Sequence, residues 1–252
     1  MKLTRRSILV LSALLFPALS FIADAKPDST EPMGQKFAEP KPAKTLRVLL
    51  AGSGSSHDFP KYFLTADAET LKAGGGVDVA ATPNLAEALA LLPQADVLVF
   101  SGNHDDWGKP EFQSLLNKIA DSGKGLVFLH AAAWDHAKWG EYNSRFIGGA
   151  TKSHGKGEFT VTIKEPGHPV MKGVPATFSI TDESYRSEFE KTAKYKVLAE
   201  NSHEGKTHAS VWVMEDAKTK VVDITLGHAE EAHANPAFQT ILKNAVNWVA
   251  TR

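Results

Sequence analysis

No cysteine occurs anywhere in the 252 residues. That excludes disulfides, thiolate metal ligands and a cysteine nucleophile. Net charge is almost absent too: 28 basic and 29 acidic side chains are interspersed along the chain, leaving no electrostatic footprint for nucleic acid or an anionic membrane. The stretch AGSGSSHDF, residues 51–59, places glycine and serine after a strand-like run. It lacks both the GxGxxG spacing and the lysine–serine ending of a phosphate loop, so no nucleotide cofactor is expected. What the chain does have is histidine, 10 in all. Histidine is the commonest metal ligand and the usual acid–base group near neutral pH.

A basic start (MKLTRR), an apolar run broken by Pro17 and the small-x-small site Ala23-Asp24-Ala25 read as an export signal over residues 1–25. No stable membrane span remains after cleavage. Thr4-Arg5-Arg6-Ser7-Ile8-Leu9 also fits a twin-arginine signal, so both export routes stay open, and the expected location is periplasmic or extracellular. Residues 26–44 are rich in Pro, Lys, Glu and Ser and read as a flexible linker. Residues 45–252 read as one domain.

That domain begins as alternating strands and helices. TLRVLLAG, VDVAAT, ADVLVFSG and GLVFLHA are near-continuous apolar runs, separated by amphipathic segments with glycine or proline at their ends. The pattern implies a parallel sheet covered on both faces. The second half reads as short strands and turns, closed by a helix with Asn235 as N-cap and Pro236 in its first turn. Ligands of such sheets lie beyond the carboxyl ends of the strands. Four histidine-bearing segments fall on that rim: AGSGSSHDF, SGNHDDW, HAAAW and TLGHAEEAH.

Each segment has an ordinary structural reading beside the chemical one. His57-Asp58 is either a hydrated turn or an imidazole with its orienting carboxylate. Asn103, His104, Asp105, Asp106 and Trp107 form either a polar loop capped by Asp106 or a sugar-binding patch. His130 ends an apolar strand, and His228 repeats the pattern after ITLG. Asp182, Glu183 and Tyr185 place two carboxylates and a phenol together for acid–base work or metal ligation. His154, between serine and glycine, is undecided locally.

The ordered series SSHDF, ADVLVFSG, GKGLVFLHAAA, IGGATKSH, HPVMKGV, ITDESY, KVLAE, VWVME, TLGH and NWVA resembles the ThuA-like (trehalose utilisation) family of the class I glutamine amidotransferase-like superfamily. The resemblance implies a flavodoxin-like three-layer α/β sandwich, with a mainly parallel central sheet and extra β-strands in the C-terminal half. It places His130 where amidotransferases carry their nucleophilic cysteine, His228 at the position of their base, and Glu230 at that of the orienting acid. Without the thiol, amidotransferase activity is not expected.

Family association with carbohydrate catabolism, notably oxidised (3-keto) disaccharides, makes a small sugar derivative or oligosaccharide the expected ligand. His130, His228, Asp182, Glu183 and Tyr185 are then the acid–base candidates, and Asn103, Trp107, Trp134 and His154 the substrate contacts. His57, His130 and His228 are candidate ligands for zinc, manganese, nickel or iron. A non-catalytic carbohydrate-binding module and a metal-dependent hydrolase of an unrelated ester or amide are the alternatives.

Overall fold

A computed structural model describes residues 34–43, 45–216 and 218–251, with the side chains of His104 and Asp106 left undescribed. The export signal read over residues 1–25 lies outside this range. One nine-stranded sheet runs through the structure: β1 (Leu46–Ala51), β2 (Val77–Thr82), β3 (Val97–Phe100), β4 (Gly125–Leu129), β5 (Gly149–Ile163), β6 (Thr177–Phe189), β7 (Tyr195–His203), β8 (Lys206–Met214) and β9 (Val221–Ile224). Its order is β2-β1-β3-β4-β9-β8-β7-β5-β6.

The five strands from β2 to β9 are mutually parallel, as expected. The other four are antiparallel, so the expectation of a mainly parallel sheet holds for only half of it. The connections give the reason. β7 and β8 are joined by Glu204 and Gly205 alone, both at positive φ (50° and 71°), a two-residue hairpin of the kind that reverses the chain. Parallel neighbours need a crossover long enough to return to the starting edge.

Side chains alternate across the parallel half. Val48, Leu50, Val97, Val99, Val127 and Leu129 face one core with Phe238, Ile241 and Leu242 of α6 (Pro236–Ala250). Leu49, Ala51, Leu98, Phe100, Leu126 and Phe128 face the other, under Phe112, Leu116 and Ile119 of α4 (Pro110–Asp121). Strands buried on both faces cannot show a polar–apolar alternation, which is why they read as continuous apolar runs. Asn235 caps α6 as expected, accepting from the amides of Ala237 and Phe238 at 2.9 and 3.4 Å.

Part of the segment read as a linker has contacts with the sheet. From residue 34 to residue 43 the Pro- and Lys-rich segment is laid against the sheet edge. Gln35 bridges Ala81 of β2, Phe37 is buried, and Arg47 holds Ala38 O at 2.6 Å and Glu39 at 2.7 Å. The unpaired backbone of an edge strand attracts such a cover, and composition alone does not reveal it. Among the described residues, no helix is long and apolar enough to cross a membrane.

Candidate functional site

The loops after β1, β3, β4 and β9 meet at the carboxyl end of the parallel strands, and β5 and β6 reach over the same rim. Between them lies a cavity of about 640 Å³, whose lining includes His57, Asn103, Trp134, His154, Glu183, Tyr185 and His228. His130 lies beneath, 1 % exposed.

His130 is the first residue after β4 and has φ +43°, a left-handed conformation that costs a non-glycine residue about 1 kcal/mol or more. The chain turns sharply there, and the imidazole is fixed across the sheet by Thr225. Its Nδ1 lies 2.6 Å from Thr225 O. A carbonyl only accepts, so Nδ1 carries a proton, and whenever the ring is neutral Nε2 presents a lone pair to the site. His57 is held in the same sense. Ser56 Oγ donates to Asn103 Oδ1 at 2.6 Å and lies 2.6 Å from His57 Nδ1, which therefore donates to Ser56. The two Nε2 atoms face each other at 3.1 Å, two lone pairs aimed at one point that a cation would satisfy.

Glu183 joins them from β6. Its carboxylate lies 3.5 Å from His130 Nε2, 3.3 Å from His228 Nδ1 and 3.6 Å from His154 Nδ1. His57, His130, Glu183 and His228 each place a ligand atom within 4.8 Å of the others, the only such group among the described residues. His228 Nδ1 is buried with no hydrogen-bond partner. On its far side Lys156 Nζ lies 2.9 Å from Nε2. An ammonium only donates, so Nε2 accepts and the neutral ring carries its proton on Nδ1, toward Glu183; Nδ1 is open to a cation only in the other tautomer, with Lys156 moved off Nε2.

The electrostatics favour the neutral form of His57 and His228 and the ionised form of Glu183. Burial, then the nearby His130 and His228, lowers His57 to about 3. Burial also lowers His228. For Glu183, burial pushes upward, but the hydrogen bond and charge of His130, with His228 and His154, outweigh it and hold the carboxyl at about 2. Acid should therefore destabilise the metal-free protein. As pH falls below 6.5 the unfolded chain protonates His57 before the folded one does, and below 4.5 the same holds for Glu183. The contribution of these two groups is complete above about pH 6.5 and lost progressively toward pH 2. His57→Gln should change the slope of the urea midpoint against pH between 6.5 and 3, removing the part of the acid decline that His57 sets. An unchanged slope in that variant would remove His57 as the cause.

Several expected residues take other places. Trp107 is only 2 % exposed. Its indole N–H donates to Ser53 Oγ at 3.0 Å and its ring packs on Phe100 and Phe112, so it is a core residue and offers no stacking face. Trp134 is half-buried in the cavity wall, with its ring edge-on to His154 and Tyr185. Asn103 also lines the cavity and orients Ser56. Asp58 caps the following helical turn through Lys61 N rather than orienting His57.

Asp182 accepts from the amides of Gly227 and His228 at 2.8 and 3.0 Å, holding the loop behind the site. Tyr185 is buried against His130. Burial and the charges of Glu183 and Asp182 push its hydroxyl well above the usual range, making it a hydrogen-bond donor and a poor acid. Glu230 pairs with Lys61 at 3.2 Å on the surface; the carboxylate beside His228 is Glu183. Lys156 and Ser56 carried no signal beyond their neighbours, glycine on both sides of one and His57 beside the other.

The family model for ThuA, described as trehalose utilisation, matches residues 47–249. The chain belongs to the ThuA family. No curated protein matches this ThuA-family chain. Among solved structures, a ThuA-like protein from Parabacteroides merdae is 20 % identical, with a TM-score of 0.73 over 82 % of this chain and 91 % of that one. One from Bacteroides uniformis is also 20 % identical, with a TM-score of 0.68 over 84 % and 95 %. A GMP synthase protein from Thermoplasma acidophilum, 14 % identical, gives a TM-score of 0.55 over 82 % and 94 %. These likenesses establish for the ThuA chain a mixed α/β sheet of the amidotransferase type.

Proposed function

We propose that this protein is an exported, metal-dependent enzyme acting on a carbohydrate or keto-sugar derivative by histidine and carboxylate proton transfer. The observation that carries the reading is the pair of facing Nε2 lone pairs on His57 and His130, 3.1 Å apart, with the Glu183 carboxylate and His228 beside them. Neutral imidazoles with one ionised carboxylate and no thiolate suit zinc, manganese, nickel or ferrous iron. His57, His130, Glu183 and His228 would hold the ion. Bound there, it would polarise a sugar carbonyl or hydroxyl oxygen.

The chain's own groups supply the remainder. Thr225 O and Ser56 Oγ fix the tautomers of His130 and His57. His154 stands at the mouth, with its side chain 37 % exposed and 3.6 Å from Glu183, where it can exchange a proton with solvent. Tyr185 keeps its proton, which leaves its hydroxyl able to donate to a bound ligand. Trp134, Asn103 and Asp105 give the cavity wall the mixed aromatic and polar character of a sugar site. The family's description supports a carbohydrate substrate, and the signal-like residues 1–25 support export.

Elemental analysis of protein purified without added metal is the test. About one equivalent of a divalent ion per chain is expected, retained on dialysis and lost to a chelator. A protein that arrives metal-free and takes up none of the four ions in titration overturns the metal-dependent reading. Binding of oligosaccharides by such a protein would leave a carbohydrate-binding module in its place.

A further inference from the structure

Outside the metal cluster, one pair of buried ionisable groups has no part in the chemistry above. Asp67 is 0 % exposed and His233 is 4 % exposed. Asp67 ends the π-wound helical stretch Phe59–Asp67, which begins two residues after His57. His233 ends the short helix α5 (Glu230–His233), five residues after His228.

His233 Nδ1 lies 2.7 Å from Asp67 Oδ1, and its Nε2 lies 3.0 Å from Gly227 O. A carbonyl can only accept, so Nε2 carries a proton, and a second proton lies on the line between Nδ1 and the carboxylate. Both ring nitrogens are thus engaged, and the ring is stacked on Tyr62 with 5.7 Å between centroids. The peptide it grips is the one that positions His228. Gly227 sits at φ +119°, and its N–H and that of His228 are already held by Asp182. Asp182 grips this turn from β6, and His233 grips it from the opposite side.

We propose that Asp67 and His233 are positioning residues, tying the segment that carries His57 to the loop that carries His228 and so setting the spacing of the metal donors. The inference rests on the reading of that cluster as a metal site. A second feature agrees with it. The space enclosed by His57, His130, His228 and His233 is only about 10 Å³, room for no more than one water. A shift of the His233 ring is therefore passed to the donors rather than absorbed. Outer partners of this kind typically contribute about ten- to a hundredfold in metal affinity.

The test compares wild type with His233→Ala, His233→Gln and Asp67→Asn. Glutamine at 233 retains a donor for Gly227 O, and asparagine at 67 retains an acceptor for Nδ1. In the metal-free proteins, ring-nitrogen NMR signals of His57 and His228 should move in His233→Ala and return part-way in the two conservative variants. Titration with Co(II) should show affinity reduced about ten- to a hundredfold in His233→Ala, with an altered visible spectrum. If His233→Ala does not fold, the two conservative variants carry the same comparison.

Lower melting temperatures with unmoved ring signals and unchanged Co(II) binding would overturn the inference and leave a purely structural pair. If wild type binds no cobalt or other divalent ion, the metal reading fails. The ring signals still decide whether Asp67 and His233 set the donor spacing.

Discussion

His130→Gly should leave a folded protein whose affinity for divalent metal is lower by about two orders of magnitude. Two effects oppose each other in stability. Glycine adopts a φ of +43° without the penalty that histidine bears, a gain of about 1 kcal/mol. Against it stands the loss of a ring that is 1 % exposed and packed on Tyr185 at 4.4 Å and His57 at 4.7 Å, costing about 2–5 kcal/mol. The net loss should be about 1–4 kcal/mol, so the melting curve shifts down and remains cooperative.

Metal binding has no such compensation. Sites of four protein ligands bind zinc with about 10–16 kcal/mol, so one donor is worth roughly 3 kcal/mol, or about two decades of affinity. Isothermal titration of wild type and His130→Gly with Zn(II) measures both numbers in one experiment. Equal affinity in the two proteins would mean that the strained turn serves packing, and that His130 is no ligand.

How much of the site is legible in the sequence follows from the range of each interaction. The alternation of β1 to β4 with amphipathic segments is local, and it puts His57, Asn103 and His130 on one rim, where the structure has them, with His228 joining them after the later strand β9. What lies beyond its reach is pairing across long separations. Thr225 and His130 are 95 residues apart, Lys156 and His228 are 72, and no periodicity says which carboxylate meets which imidazole. Glu230 is the nearer acid to His228 in the chain, but it opens α5 and turns outward to Lys61. Glu183 arrives from β6, where Asp182 to Tyr185 are four consecutive buried residues. That run breaks the alternation expected of a half-exposed strand, and it arises because the strand passes over the site. Trp107 misleads for the converse reason: polar neighbours in SGNHDDWG suggest a surface ring, whereas the short helix His104–Trp107 turns it into the core.

Asp223→Asn should stabilise the protein at pH 8 by on the order of 3 kcal/mol, and hardly at all at pH 4. Asp223 lies in the middle of the sheet on β9, level with Phe128 of β4 and Trp212 of β8. It is 0 % exposed, and neither carboxylate oxygen has a hydrogen-bond partner. Burial alone pushes its carboxyl well above the usual 3.8. The sign follows directly. Above pH 3.8 the unfolded chain releases this proton while the folded one retains it, so stability falls as pH rises toward the folded value. Each pH unit in that window costs about 1.4 kcal/mol, up to the few kcal/mol of an uncompensated buried charge.

Asparagine has the same shape and cannot ionise, so it removes the pH-dependent part. It keeps an unpartnered polar group, which is why little gain is expected where aspartic acid is already neutral. Urea denaturation of both proteins at pH 4, 6 and 8 tests this: the difference should widen with pH. The slope is opposite to that set by His57, and the two overlap from pH 3.8 to 6.5, so the wild-type curve should be nearly flat there and decline on either side, and the variant's should lose its alkaline decline. A constant difference at all three pH values would show that Asp223 does not titrate in the folded core.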